Sequence, residues 1–309
     1  FKEVENAKTK LEQGINAIHN LPYHTLKVDL YKFISKIYKF LKQYDKAILF
    51  MEKSIALKEQ LGDEKGVAYA RLNLSVVYKE ENNNDKAKLE LTSAQKYFDK
   101  TNDKIGKIFA LSKMGIIHYS EKSYEKALKF LKKCTDIFKD LDFEIGVSTL
   151  NKKIGLIYSK IGNHDKAISY LKKCLNIETK NNMSSDMAET NSIMGLIYSE
   201  KEDINNAIKQ LEKSFSLLST ESVENKEHIA FKIGELYIKK KRFGKAIQYF
   251  EKCVASRSEE LSKKALKNLA LLYEKIGDGE KLKTILRRIL KSENDEKVIN
   301  QIKVSLKRI

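Results

Sequence analysis

The sequence has few of the residues that interrupt helices or build other kinds of fold. Among 309 residues there are one proline, no tryptophan and 13 glycines, which is too little turn chemistry for a series of β-hairpins. Three cysteines make neither a disulfide framework nor a metal site. No apolar run approaches the 18 residues of a membrane-spanning helix, and no signal peptide opens the chain. The composition predicts an all-α protein that is soluble and cytoplasmic.

Recognisable catalytic motifs are also missing from the sequence. It contains no glycine-rich phosphate loop, no GxSxG or HExxH motif and no CxxC pair. None of the five histidines has a second ligand at metal spacing. We therefore expect a protein that is not an enzyme, with no cofactor and no metal, whose function depends on its surfaces.

The charge of the chain is strongly positive, at +17 from 59 Lys and Arg against 42 Asp and Glu. Such an excess can indicate nucleic-acid binding. Here it is mostly lysine and is spread through the whole chain rather than gathered in one tract. We interpret it as a solvated surface, with attraction for an acidic partner as the alternative. Direct binding to nucleic acid or to a membrane is not expected.

A period of about 40 residues organises the chain, and the stretch from Leu150 to Cys174 has relatives on both sides of it. The copies share an aromatic residue or histidine, which we call the register residue. The register residues are Tyr38, Tyr78, His118, Tyr158, Tyr198, Tyr237 and Tyr273, in steps of 40, 40, 40, 40, 39 and 36. An alanine follows nine residues later in six copies, and a small residue follows seven residues after that. Apolar spacings of three, four and seven predict two amphipathic helices in each copy.

Short segments rich in glycine, asparagine and aspartate separate these helices. Between copies, Gly66, Gly106 and Gly146 stand in register, and we expect Asp63 and Asp103 to cap the helices that follow them. The three cysteines all occupy the small-residue position of a second helix. Because a buried thiol behaves as a small apolar group, we expect them to serve packing alone.

The two ends of the chain differ from the repeat. Residues 1–25 match the second helix of a copy whose first helix is missing, which suggests a fragment with something upstream. Residues 26–291 hold seven copies, and residues 292–309 form an amphipathic segment. We expect that segment to cap the last copy, with binding to a partner as the alternative. All of this is predicted to form one continuous domain.

The G-x-x-Y, alanine and small-residue markers resemble the tetratricopeptide repeat. The family's usual repeat has about 34 residues, whereas most copies here have 40, and the family's tryptophan and closing proline are absent. The lengthened copies are similar to those in Gram-positive peptide-pheromone receptors and in animal spindle-orientation adaptors. The resemblance implies a right-handed superhelix of antiparallel helix pairs.

In this family the first helix of each pair lines a concave groove that binds a peptide or an extended protein segment. Transferring the groove positions copy by copy implies a set of binding residues in this chain. They are Lys32, Asn73, Val76, Lys113, Ile116, Tyr119, Lys152, Lys153, Leu156, Lys160, Leu196, Lys232, Asn268 and Leu271. The aliphatic members would form the floor, the lysines would attract an acidic or carboxylate ligand, and the asparagines would pair with a peptide backbone.

Three functions are compatible with such a groove. The most concrete is the ligand-sensing part of a peptide-responsive transcriptional regulator, in which peptide binding would change the superhelix or the contacts of a homodimer. The others are a constitutive adaptor or assembly scaffold, and an array attached to an upstream phosphatase-type helical bundle. The clamp that holds chaperone tails in some family members is incomplete, because Lys36 and Phe109 replace an asparagine and a lysine.

Overall fold

A computed structural model describes residues 13–15, 18, 24–219, 223–292 and 296–308. Over these residues every regular element is an α-helix and no strand occurs, so the predicted all-α class is confirmed. The helices are α1 His24–Phe40, α2 Tyr44–Gln60, α3 Glu64–Glu80, α4 Asn84–Thr101, α5 Lys104–Ser120, α6 Tyr124–Asp140, α7 Glu144–Lys160, α8 His164–Lys180, α9 Ser184–Glu200, α10 Ile204–Leu217, α11 Val223–Lys239, α12 Phe243–Glu251, α13 Glu259–Ile276, α14 Gly279–Ser292 and α15 Glu296–Arg308.

The chain divides into two compact units, residues 1–150 and residues 151–309. The boundary falls within α7. Most of residues 1–25, which the sequence assigns to an incomplete leading repeat, lies outside the described residues, and 13–15 and 18 are helical. We call the first helix of each pair an A helix; the A helices are α1, α3, α5, α7, α9, α11 and α13.

The two helices of a pair run antiparallel. In the first pair, the Ser35 hydroxyl donates to the Ala47 carbonyl at 2.7 Å, and the Ser54 hydroxyl donates to the Val28 carbonyl at 3.2 Å. The early part of α1 therefore lies against the late part of α2. In three other pairs, the residue at the small-residue position makes a bond equivalent to that of Ser54. Its acceptor is each time the carbonyl of the residue 26 positions earlier. These bonds join Cys134 to Ile108 at 3.5 Å, Ser214 to Ala188 at 2.6 Å and Cys253 to Glu227 at 3.3 Å.

Close approach of the helices explains the alanine and glycine markers. The alanines nine residues after the register residue are fully buried in all six copies that have one. At Gly195 of α9, an added Cβ would lie 2.6 Å from Leu211 Cγ and 3.2 Å from the Ala207 carbonyl oxygen of α10. Because packed interiors leave no room for such contacts, only small residues fit where A helices meet their partners.

The turn after each A helix has one shared geometry. The fourth residue after each register residue has a positive φ of 56° to 77°, at Lys42, Asn82, Lys122, Gly162, Glu202, Lys241 and Gly277. The amide of the next residue donates to the carbonyl of the register residue at 2.8–3.0 Å in all seven turns. Such a bond satisfies a carbonyl that the end of a helix leaves unpaired.

The side chains of the register residues are held by packing and by lysines. Tyr158 stacks on Tyr170 with ring centroids 5.5 Å apart, and His118 stacks on Phe130 at 5.3 Å. A lysine eight residues after the register tyrosine lies over its ring at 5.2–5.6 Å in five pairs. The lysines are Lys46, Lys86, Lys166, Lys245 and Lys281. Such cation–π contacts stabilise exposed sites by about 0.5–1 kcal/mol each.

The expected helix caps are present at the joints between pairs. The Asp63 carboxylate accepts from the Gly66 amide at 2.8 Å, and the Asp103 carboxylate accepts from the Gly106 amide at 2.8 Å. The predicted capping role of both aspartates is confirmed.

At the other end of the chain, Ile302 of α15 is buried in the core of the last pairs and Leu306 packs against the same core.

The second helix of the sixth pair is shorter than the repeat predicts. It was expected to include Cys253, but α12 ends at Glu251 and Cys253 lies in the following turn. Two side-chain bonds stabilise that turn, from Ser256 to the Glu227 carboxylate at 2.5 Å and from Ser262 to the Val254 carbonyl at 2.7 Å. Cys253 is nevertheless fully buried, and burial raises the pKa of its thiol to about 12.

Candidate functional site

In the first unit, the A helices α3 and α5 contact each other and bring several of the implied binding residues to one surface. Asn73 and Val76 are half-buried on α3, and Lys113 is half-buried at the corresponding register of α5. Ile116 and Tyr119, on the same helix, are each 38% exposed although they are large and apolar or aromatic. Lys32 is half-buried on α1.

Lys113 has an unusual electrostatic environment. Burial lowers the pKa of Lys113, the positive charge of Lys39 lowers it further, and Glu80 opposes both effects. Glu80 is itself paired with Lys39, at 3.0 Å between Nζ and Oε1. Within the part of the chain that the structure describes, Lys113 forms no ion pair. A half-buried ammonium in this position can bind a carboxylate from outside the chain.

Asn73 is the neighbouring polar group at the same register. Its amide makes no side-chain hydrogen bond with the other described residues of the first unit. An amide offers both a donor and an acceptor, which is the pair of groups that a peptide backbone also presents. Asn73, Lys113 and Ile116 together therefore offer amide, cationic and apolar contacts on adjacent helices.

In the second unit, the aliphatic residues implied by the repeat are exposed on their A helices. Leu156 of α7 is 38% exposed, Leu196 of α9 is 43% exposed and Leu271 of α13 is 63% exposed. Lys153 and Lys160 of α7 are exposed, and Asn268 of α13 is half-buried. Lys232 of α11 pairs with Glu235, one turn along the same helix, at 3.0 Å.

Lys152 differs from the other binding residues that the repeat implies. It is buried, with 8% of its surface exposed. Its ammonium lies 2.7 Å from the Glu189 carboxylate, 3.3 Å from Glu178 and 3.4 Å from Asp186. Burial lowers the pKa of Lys152, but the hydrogen bond to Glu189 and the charge of Glu178 outweigh burial and raise the pKa above its usual value. Its cation is thus already held by three carboxylates of α8 and α9.

The sequence interpretation missed a cavity of about 480 Å³ between α9 and α11. Asp186, Glu189 and Ser192 line it from α9, and Asn225 and His228 line it from α11. The sequence did carry a signal for this cavity. Glu189 of α9 and His228 of α11 each stand nine residues before a register tyrosine, so the repeat gives them the same position on the two A helices. A second cavity, of about 530 Å³, lies beside Leu271 and is also lined by Leu282, Leu286 and Ser305.

Neither a metal site nor a membrane-spanning helix occurs among the described residues. Among the described side chains, no three of the metal-ligating kinds lie together in a way that could hold an ion. None of the helices in the described ranges is long and apolar enough to cross a bilayer.

Comparison with protein families identifies the repeat. Family models of the tetratricopeptide repeat match residues 28–61 and 107–180. The chain therefore contains tetratricopeptide repeats in these two stretches. A further model, described as soluble NSF attachment protein (SNAP), matches residues 155–274. A comparison with curated proteins finds no match.

Solved structures share this tetratricopeptide-repeat fold. A signal-transduction ATPase with numerous domains from Pyrococcus horikoshii, which has a tetratricopeptide-repeat sensor, is 19% identical with a TM-score of 0.73 over 94% of this chain and 47% of its own. The C-terminal part of a repeat-containing protein from Cytophaga hutchinsonii is 18% identical, with a TM-score of 0.66 over 87% and 98%. The quorum sensor NprR from B. thuringiensis is 17% identical, with a TM-score of 0.51 over 86% and 80%. These likenesses establish the fold.

Proposed function

We propose that this tetratricopeptide-repeat protein binds a peptide or an extended protein segment on its A helices and has no enzymatic activity. The observation that carries the proposal is Lys113, a half-buried cation without an ion pair among the described residues. It stands at the same register as Asn73 and one turn before the exposed Ile116. A peptide with a carboxylate, a free backbone and an apolar side chain would satisfy all three groups.

The ligand of the first unit is acidic in this proposal. Keeping a partly desolvated ammonium charged costs free energy, and a carboxylate that forms a hydrogen-bonded ion pair with it offsets that cost. The charge of +17 favours the same class of ligand, because it raises the local concentration of anionic segments.

We further propose a sensing role, in which binding of the ligand shifts the conformation of the helix pairs. The Pyrococcus protein is described as having a tetratricopeptide-repeat sensor, and NprR as a quorum sensor. Those descriptions belong to those proteins. They support a ligand-sensing part of a larger regulator as the version of the proposal to test first.

A selection from a display library of random 12-residue peptides tests the binding function. We expect the selected peptides to be enriched in Asp and Glu and to lose at least tenfold in affinity for the Lys113→Met variant. Lys129→Met, at an exposed lysine of α6, is the matched control and leaves affinity unchanged. No enrichment, or equal affinity for both variants, would contradict the proposal.

A further inference from the structure

Helix α1 has two apolar faces, and only one of them is buried. Val28, Tyr31, Ile34 and Tyr38 are 3–8% exposed and form the contact with the rest of the first unit. The other face consists of Leu26, Leu30, Phe33, Ile37 and Phe40, at spacings of four, three, four and three residues. Leu30 also packs against the buried cluster of the first face. We call these five residues the α1 seam. Alternating spacings of this kind place residues along one side of a helix that packs lengthwise against another helix.

The α1 seam is open to solvent at its large side chains. Phe40 is 86% exposed, Phe33 is 61% exposed and Leu26 is 47% exposed, while Leu30 and Ile37 are half-buried. Exposed aromatic side chains in a row are uncommon on a solvated helix, and clusters of them mark interaction sites.

The other A helices show that these aromatics are specific to α1. The residues at the register of Phe33 are Asn73, Lys113, Lys153, Ile193, Lys232 and Asn268. The residues at the register of Phe40 are Glu80, Ser120, Lys160, Glu200, Lys239 and Lys275. Polar residues at eleven of these twelve positions agree with exposure to water. The repeat itself therefore does not require phenylalanine at either position.

A comparison of Ile37 with the residue at the same register of α3 indicates that the seam is a helix-packing face. Its counterpart on α3 is Val77, which is 2% exposed and shares a buried cluster with Tyr31, Ile34 and Tyr38 of α1. On α3, this position is thus covered by the helices of the pair before it. Ile37 is only half-buried, so the α1 seam has the chemistry of a helix-packing face.

The lysines beside the seam favour an acidic partner. Helix α1 carries Lys27, Lys32, Lys36 and Lys39 against a single acidic residue, Asp29. Of these lysines, Lys39 is already paired with Glu80 of α3. A second copy of the chain packed seam to seam would bring two such rows of lysines together. Like charges facing each other destabilise a complex, whereas acidic residues on a partner stabilise it and accelerate encounter.

We propose that the α1 seam docks an acidic amphipathic helix of a partner protein. Leu26 and Phe40 are 14 residues apart, so the seam is about 21 Å long and matches about four turns of a partner helix. The partner helix presents apolar residues at alternating spacings of three and four to Phe33 and Phe40, and Glu or Asp to Lys32 and Lys36. This goes beyond the proposed function, which concerns an extended segment bound at Asn73, Lys113 and Ile116.

A display library of 20-residue peptides, randomised on a helix-forming scaffold, tests the docking surface on the full chain. We expect the selected peptides to combine the apolar three-and-four spacing with acidic flanks, and to gain helical circular dichroism when they bind. The double variant Phe33→Ser, Phe40→Ser should weaken them at least tenfold. Leu89→Ser, at a 65% exposed leucine of α4, is the matched control and should not. Both phenylalanines are exposed, so the variant keeps the helical signal of the parent.

Three outcomes would overturn the proposal: no enriched peptide, enriched peptides without acidic residues, or equal binding to the double variant. Sedimentation equilibrium tests whether a second copy of the chain occupies the seam instead. A dimer of the chain that the double variant dissociates would assign the seam to a second copy and also overturn the proposal. Lys113→Met separates the two functions, because it weakens extended acidic peptides and leaves the helical ones bound.

Discussion

The ammonium of Lys152 lies 3.3 Å from the carboxylate of Glu178, a side chain that is only 1% exposed. The Cys174 thiol and the Thr190 hydroxyl both donate to the same Glu178 oxygen, at 3.0 Å and 3.1 Å. The carboxylate of Glu178 is thus buried with hydrogen-bond donors from three helices around it. Such a group is stable as an anion only while its cation and its donors stay in place.

We expect Lys152→Met to lower the free energy of unfolding by about 3–5 kcal/mol, because it leaves the Glu178 charge buried without its cation. Adding Glu178→Gln should restore part of the loss. Urea unfolding measures both effects. Lys153→Met, at the exposed neighbouring lysine, should stay within about 0.5 kcal/mol of wild type. Equal losses at positions 152 and 153 would show that the buried pair does not stabilise the fold.

The stability of the second unit should fall at alkaline pH through its buried tyrosines. Tyr237 and Tyr249 both donate to Glu212, at 2.7 Å and 3.1 Å. Burial and the bond to Glu212 raise the pKa of Tyr237 to about 12, against about 10 in an unfolded chain. Because the folded pKa is the higher one, the stabilisation is complete below about pH 10 and is lost as pH rises through about 12.

Urea unfolding of wild type and Tyr237→Phe over that range provides the measurement. The variant lacks the shifted group, so its stability should fall less steeply above about pH 10 than that of wild type. Parallel profiles for the two proteins would assign the alkaline loss to other groups.

Gly195→Ala should destabilise the fifth pair by about 1–3 kcal/mol, because the new Cβ would overlap Leu211 and crowd the Ala207 carbonyl. Gly244→Ala is the matched control, since a Cβ at Gly244 meets no atom within 4 Å. Alanine is the better helix former by about 1 kcal/mol, so the control should be neutral or stabilising. Thermal unfolding of the two variants shows whether close helix approach is the cause.

Asn73→Ala and Ile116→Glu should each weaken binding of the 12-residue peptides at least fivefold. Both side chains reach the surface of an A helix and neither contributes to a buried cluster. The helical circular-dichroism signal and the Tm should therefore stay close to wild type in both variants. Unchanged affinity in both would place the binding site away from the A helices.

Binding of acidic peptides should weaken as ionic strength rises from low to physiological values. At about 0.15 M salt the screening length is about 8 Å, so exposed lysines lose most of their long-range attraction. Fluorescence anisotropy at increasing salt measures the slope. A flat response would show that the positive charge of the chain has no part in the binding.

The repeat could be predicted from sequence because spacing alone decides which residues meet. Ala167, Ala207 and Cys174 are fully buried. This is expected, because the alanine position and the small-residue position each recur about every 40 residues on the inner face of a second helix. The partners of charged residues could not be predicted in this way. Lys113 and Lys152 look alike in the sequence, yet Lys152 has carboxylates 26 to 37 residues away on two other helices, while Lys113 has none within ion-pair distance among the residues that the structure describes.

The exposed phenylalanines of the α1 seam were visible in the sequence and were missed. Phe33 and Phe40 are apolar, whereas eleven of their twelve counterparts in the other copies are polar, Ile193 being the exception. A comparison across copies would therefore have singled them out. The short α12 left no such signal, because its end depends on bonds that Ser256 and Ser262 make to Glu227 and Val254.

The lysines that lie over the register tyrosines place a limit on how far the charge of this protein can change. Five of the cations that make up the excess also hold an aromatic ring at the centre of a helix pair. Neutralising lysines across the surface, by acetylation or by substitution, would therefore loosen the pairs while it removed the attraction for acidic segments. At these five lysines, the attraction for acidic segments and the rigidity of the helix pairs therefore cannot be changed independently.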